Sequence, residues 1–326
     1  MGVRLARAVW LSLAALLIAL FWLQPASAES PRPLKGCLEI AVGAEPEARC
    51  IAPASGRTQW FSDCPHCPEM VVVPRGRFTA GSPMGENGRS PREALTLVTV
   101  SKPFAVGRFA ITFAEWDACT ADGGCNGYQP PDDGHGRGNN PVVRVNWDDA
   151  SAYIQWLSRK SGKSYRLLAS VEREFVARAG TSTPYWWGSS IGPDQANYDS
   201  PDTVVRTSQG ASVQVAEARR RPVPVDSFAP NPWGLYNVHG NIWEWTRDCW
   251  RDDGPVASGQ GRKAAPADCG QRLARGGSWY DFASEARAAA RIGFDAASRN
   301  ALLGFRVARL LPAAAGKNVR RSSPKR

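Results

Sequence analysis

Asn231-Pro232-Trp233-Gly234-Leu235-Tyr236-Asn237-Val238-His239-Gly240-Asn241-Ile242-Trp243-Glu244-Trp245 decides how this chain is read. Tryptophans and asparagines crowd around glycines and a proline, a composition that favours tight turns over a regular helix. Asn237, Asn241 and Glu244 bring side-chain oxygens close together, as a hard cation requires. The same residues also suit a buried aromatic turn whose polar groups satisfy one another. Two arginine-bearing stretches follow: Arg272 to Trp279 (RLARGGSW), with a glycine pair, and Arg287 to Arg291 (RAAAR). Gly304-Phe305-Arg306-Val307 comes after them.

Upstream, the pattern becomes more regular. Met70–Val73, a turn at Pro74-Arg75-Gly76, then Arg77-Phe78-Thr79 predicts a hairpin. Leu95 to Val100 predicts another strand. Thr112-Phe113-Ala114-Glu115 is a capping box that starts a short helix. Asn146 caps a longer helix, whose Ala150, Tyr153, Ile154 and Leu157 share one face and which Gly162 ends. Ser170 is expected to cap a third helix. Glu172 and Glu174 fall in its first turn, Val171, Phe175 and Ala179 form its buried stripe, and Gly180 stops it. No fixed-period repeat is present, which excludes solenoids and propellers.

The bulk numbers fit an exported globular protein. Arg4 and Arg7, the apolar run from Ala8 to Leu23 and Ala26-Ser27-Ala28 read as a signal peptide over residues 1–28. No stable membrane span is expected after its cleavage. Residues 29–63 read as a disulfide-tied leader, 64–312 as one large domain and 313–326 as a basic, solvated tail. Hydrophobic residues make up 43% of the chain and charged residues 21%, enough for a real core. The net charge of +10 includes seven cations at the two ends, Arg4, Arg7, Lys317, Arg320, Arg321, Lys325 and Arg326. The remainder is close to balanced, so no nucleic-acid groove is expected. An even number of cysteines in an exported chain argues for disulfides. Local closure costs least entropy, so the expected pairs are Cys37–Cys50, Cys64–Cys67, Cys119–Cys125 and Cys249–Cys269.

Taken in order, CPEMVVVPRGRFTAGS (Cys67–Ser82), FAEWDAC, PVVRVNWDDASAYIQWLS, YRLLASVEREFVARAG, NPWGLYNVHGNIWEW, RGGSW, RAAAR and GFRVAR resemble the formylglycine-generating enzyme and sulfatase-modifying-factor family from about Cys64 to Arg309. That resemblance implies an α+β fold, a compact loop-rich domain related to C-type lectin-like folds. It also implies structural calcium, with ligands at Asn237, Gly240, Ile242 and Glu244, and a second calcium position beginning at Ala196-Asn197. In active members two cysteines after the GGS turn bind Cu(I) and activate oxygen, converting a substrate cysteine to formylglycine. Here that segment reads GSWYDFASEARAAAR. Asp281 falls near the place of the first cysteine, and no cysteine follows Cys269. A carboxylate is a hard ligand and no redox thiol, so copper is not expected.

No other catalytic constellation emerges. His66, His135 and His239 are the chain's histidines, scattered over separate loops, and His239 is expected to be structural. Cys64-Pro65-His66-Cys67 matches a thiol-oxidase dithiol, but Pro68 and a valine-rich strand follow it where such a dithiol needs a helix N-terminus. A structural disulfide is the expectation. The functional expectation is a periplasmic or secreted binding or accessory protein for a peptide, small polar ligand or partner protein. Its pocket would be formed by Ser278, Trp279 and Asp281, flanked by Arg287 and Arg291. The alternative is an oxidase or peptide-modifying enzyme with an atypical centre.

Overall fold

The computed structural model describes residues 38–41, 48–200, 203–206, 212–216, 219–251 and 269–311. The signal-like segment, Cys37 and the basic tail lie outside the described residues. The fold below belongs to one compact unit, residues 36–326.

The chain begins with an antiparallel pair, β1 (Leu38–Ala41) and β2 (Ala48–Ile51), whose Ile40 and Ile51 enter the core. Next come β3 (Met70–Val73), β4 (Gly76–Ala80), β5 (Thr96–Val100) and β6 (Phe104–Gly107). Helices α1 (Phe113–Ala121) and α2 (Trp147–Ser161) are followed by β7 (Tyr165–Leu167) and α3 (Ser170–Arg178). The short pair β8 (Thr203–Arg206) and β9 (Ser212–Ala216) precedes β10 (Trp243–Cys249) and β11 (Gln271–Arg275). The chain then forms β12 (Arg291–Asp295), β13 (Leu303–Phe305) and β14 (Val307–Leu310). Two four-stranded sheets organise the domain, in the orders β3-β6-β14-β7 and β12-β11-β10-β13.

The first sheet is buried on both faces. Met70, Val72 and Ala105 point into one cluster with Trp116, Tyr153 and Phe305. Val71, Val73, Phe104, Val106 and Ala308 point into the other with Phe175, Trp233 and Leu235. Successive side chains on a strand alternate faces, so a strand covered on both sides reads as an unbroken apolar run. This explains the Met70–Val73 stretch and corrects the hairpin expectation. β3 pairs with β6, whereas β4, with its alternating burial, pairs with β5.

The helix signals fare better. Thr112 and Glu115 form the reciprocal capping box of α1, and Asn146 and Asp149 that of α2. Gly162 ends α2 in the left-handed region at φ 65°. α3 departs by one residue at each end. Ala169 stands at its cap, where the Glu172 carboxylate accepts the Ala169 N–H at 2.7 Å. Ser170 is inside the helix because its hydroxyl accepts from Arg275 Nε instead. Ala179 at φ 46° ends the helix before Gly180. Glu174, expected to serve the helix dipole, is buried between Arg178 and Arg275.

Candidate functional site

The turn-rich segment from Asn231 to Trp245 is locked by its own asparagines. Asn231 Oδ1 accepts from the N–H groups of Trp233 and Leu235, while its amide donates to Val176 O across the core. Asn241 Oδ1 accepts from Asn197 Nδ2 and Val223 N. Gly240, at φ 74°, lies so close to Asn197 that a Cβ would sit 2.3 Å from its carbonyl oxygen. His239 has both ring nitrogens in use. Nδ1 lies 2.7 Å from Ala286 O, and Nε2 accepts from Trp186 N at 3.2 Å. Burial pushes its imidazole down to about 3, against the pull of the Ala286 carbonyl and aided by Arg173 and Arg178. A neutral, doubly bonded ring of this kind is structural.

β10 then carries Glu244 into the interior. Its carboxylate accepts from Arg173 Nε at 2.6 Å and from Arg306 Nη2 at 2.9 Å, and all three side chains are at most 2% exposed. Burial alone would raise its pKa, but the two guanidinium groups hold it below the usual carboxylate range.

The GGSWYD turn is built around Asp281. Its Oδ2 accepts from Ser278 N at 3.0 Å, from Ser278 Oγ, and from Trp243 Nε1 at 2.8 Å. Gly277, at φ 74°, permits the adjoining segment to pack directly on it, since a Cβ would meet Ala286 at 2.8 Å. Ser278 is fully buried. Trp279 is half-buried and lies edge-on to His135, with ring centroids 6.4 Å apart. Trp279 Nε1 is buried without a hydrogen-bond partner among the described residues. Tyr280 and Phe282 project into solvent beside it. Ser278, Trp279 and Asp281 therefore do come together, but only Trp279 has a face to offer; Ser278 and Asp281 hold the turn.

The two flanking arginines do not join them. All five N–H groups of Arg287 are engaged. Nε donates to Ser284 O at 2.8 Å, Nη1 to Glu86 at 2.6 Å and Glu93 at 2.8 Å, and Nη2 to Gly88 O at 2.6 Å and Glu93 at 2.9 Å. With no donor left it cannot pair a ligand carboxylate, which corrects that expectation. Arg291 lies on β12 opposite Arg275 and 5.2 Å over the Trp250 ring. It lines a separate, water-sized cavity of about 20 Å³. Burial, together with Arg275 and Arg92, pulls its pKa down to about 10. A much larger cleft, about 480 Å³, opens between residues 83–87, 182–189 and 283–287. Arg287, expected at a pocket, does line this cleft; the other walls come from turn segments without periodicity, which the sequence pattern did not mark.

The expected calcium ligands fit only in part. Asn237 Oδ1 is buried and has no hydrogen-bond partner among the described residues, as an oxygen reserved for a cation or water would be. Asn197 Oδ1, at the second calcium position, is in the same condition. Glu244 does not fit, because its oxygens already face two buried cations. The set Asn237, Gly240, Ile242 and Glu244 therefore does not act as one four-ligand cage.

Cysteine chemistry is disulfide chemistry here. Cys64–Cys67, Cys119–Cys125 and Cys249–Cys269 are bonded as nearest neighbours, and Cys50 is also disulfide-bonded. No free cysteine occurs among the described residues. The Cys64–Cys67 bridge sits in a turn rather than at a helix N-terminus. These bonds are consistent with an extracytoplasmic protein. Among the described residues no helix is long and apolar enough to cross a membrane.

Residues 57–311 match the family model described as the sulfatase-modifying factor enzyme 1-like domain. The chain belongs to this family. It is 28% identical to the inactive Cα-formylglycine-generating enzyme 2 of Mus musculus over 313 residues, covering 76% of this chain and 90% of that one. It is 34% identical to the formylglycine-generating enzyme of Thermomonospora curvata, over 53% of this chain and 56% of the enzyme. The match thus spans about half the length of that active enzyme. The structure of PvdO from Pseudomonas aeruginosa is similar across 98% of its length and 78% of this chain, at 35% identity and a TM-score of 0.65. The loop-rich α+β fold expected from the sequence is the family's fold.

Proposed function

We propose that this domain is a periplasmic or secreted binding protein for a peptide or small polar ligand, and that it does not perform the copper-thiolate oxidation of the family's active members. The observation that carries this reading is Asp281. The residue nearest the place of the first copper cysteine accepts three hydrogen bonds through one oxygen and fixes its own turn. With no cysteine after Cys269, soft thiolate ligation has no carrier in this segment. The ligand surface is the aromatic face of Trp279 with Tyr280, Phe282 and His135. Aromatic side chains supply large contact area at low entropic cost, and the indole N–H is a donor for a ligand or water oxygen.

The test offers the oxidised mature protein, loaded with Cu(I) and calcium, a Cys-x-Pro-x-Arg peptide in air. Fluorescence reports binding and mass spectrometry reports conversion. Saturable binding without formylglycine is expected, weakened about tenfold or more in Trp279→Ala. Conversion above a metal-only control overturns the non-oxidative reading. No binding, or binding indifferent to Trp279→Ala in a folded variant, overturns the surface.

Calcium is proposed as a structural ion at two separate positions, one at the amide oxygen of Asn237 and one at that of Asn197, and not at Glu244. Adding calcium to chelator-stripped protein is expected to raise Tm, with the gain reduced in Asn237→Ala. An unchanged Tm removes the ion from the proposal.

A further inference from the structure

A second cleft, of about 200 Å³, shares no lining residue with the Trp279 surface. One wall is the run from Val98 to Phe104, at the end of β5 and the start of β6. Val98, Phe104 and Val171 are buried and give it an apolar floor. Three cations stand in its walls, Lys102, Arg166 and Arg247. Arg166 is engaged, donating to both oxygens of Glu172 at 2.6 and 2.9 Å. The side chains of Lys102 and Arg247 are exposed and make no hydrogen bond or ion pair with a described residue. Asp248, next to Arg247 in sequence, is buried, accepts the Ser170 N–H and is shared electrostatically between Arg247 and Arg275. Arg77 stands opposite the lining residue Thr99 in the β4–β5 register and adds a fourth cation. Among the described residues, four cations thus meet two carboxylates that are already engaged, and this face is left positive.

Leucines stand in the open beside these charges. Leu310, in the cleft wall, is 52% exposed. Leu97, which shares the strand face of Thr99, is 68% exposed. A soluble polyanion would engage the cations and leave the leucines in water. A neutral apolar partner would cover the leucines and leave the cations without counter-ions. An anionic bilayer answers both, because leucines enter the acyl boundary while lysine and arginine meet lipid phosphates. The described fold ends at Leu311, also in the cleft wall, and Lys317, Arg320, Arg321, Lys325 and Arg326 follow in the sequence. The six positions from Leu311 to Lys317 span at most about 20 Å of extended chain, so these charges stay within reach of the same surface. Stable anchoring to a bilayer takes two signals, and an apolar patch beside a polybasic stretch supplies them.

We propose that the face carrying Leu97, Leu310, Lys102 and Arg247 docks the protein on an anionic phospholipid surface. The contact is peripheral, and no chain crosses the bilayer. It goes beyond the ligand-binding function proposed above and does not depend on it.

The oxidised mature protein is sedimented with phosphatidylcholine vesicles, with and without phosphatidylglycerol as the anionic component. Binding is expected on the anionic vesicles alone and is expected to weaken as salt is added. Lys102→Gln/Arg247→Gln, at exposed positions, is expected to keep the wild-type Tm and to weaken binding about tenfold or more. Leu97→Ser/Leu310→Ser is expected to do the same through the lost apolar contact, about tenfold or more. Deleting residues 313–326 is expected to weaken binding without abolishing it. Equal binding to the two kinds of vesicle, or wild-type affinity in either folded double variant, overturns the proposal. Complete loss on deleting the tail overturns it as well, because the tail would then act as a polycation without the folded face. If heparin displaces the vesicles and the leucine variant binds them like wild type, the partner is a soluble polyanion and the proposal falls.

Discussion

Glu244→Gln lowers the unfolding free energy by about 3–5 kcal/mol, the usual cost of leaving a buried charge without its partner. The substitution keeps the size and shape of the side chain and removes one negative charge. Arg173 and Arg306 then face each other at the centre of the domain with no negative charge between them. Each is at most 2% exposed, so neither can reach water without opening the core. Their remaining donors do not compensate. Arg173 Nη2 donates to Val238 O, and Arg306 donates to the carbonyls of Gly107, Arg108 and Tyr236. Carbonyl dipoles orient these groups but do not neutralise them. Burial and the neighbouring Arg306 already press the Arg173 guanidinium below its ordinary pKa, with Glu244 opposing them. Equilibrium denaturation in urea at neutral pH measures the loss. The double variant Glu244→Gln/Arg173→Met is the control: removing one cation returns the cluster to its wild-type net charge and is expected to recover a substantial part of the stability. A loss under 1 kcal/mol, or no recovery in the double variant, would contradict the assignment of Glu244 as a counter-ion.

That assignment also shows where sequence reading stopped. Local signals were legible because local physics decides them. The capping boxes at Thr112 and Asn146 and the left-handed Gly162 involve residues within four positions of each other. The three disulfides seen in full pair nearest neighbours for the same reason. Ser170 was misplaced by one residue because a group 105 positions away, Arg275, takes its hydroxyl. β3 and β4 were joined into a hairpin because the partner of β3 lies beyond the next two strands.

The candidate site divides along the same line. Asp281 holding Ser278 is a contact three residues apart and sits inside the motif that was read. The acids that occupy Arg287 come from 194 and 201 positions upstream, in a glycine- and proline-rich loop with no period to announce them. An arginine near a motif reads in sequence as an available cation. Only the fold reveals whether its five donors are already taken, as they are here.

His239 gives the protein an acid-side weakness that a single substitution removes. In the folded state its imidazole stays neutral down to about pH 3, because it is buried, holds Trp186 N on Nε2 and lies near Arg173 and Arg178. In the unfolded chain it takes a proton near its ordinary pKa of about 6.5. Between these values the unfolded state binds more protons, so stability falls as pH falls. From pH 6.5 to pH 5 the expected loss from this group is about 2 kcal/mol. Glu115 acts in the opposite direction. Burial raises its carboxyl to about 7, against the Thr112 hydrogen bonds, so the folded state keeps a proton that the unfolded state releases. Its contribution therefore declines as pH rises from about 4.5 towards 7. The two slopes oppose each other, and a wild-type pH profile alone does not isolate either. The informative quantity is the difference in urea-unfolding free energy between wild type and His239→Asn, measured at pH 7, 6 and 5. The gap between the two proteins is expected to shrink by about 2 kcal/mol over that range, because the variant has no imidazole to protonate on unfolding. A gap that stays constant with pH would mean that His239 is protonated in the fold, and that the Ala286 and Trp186 contacts do not hold it neutral.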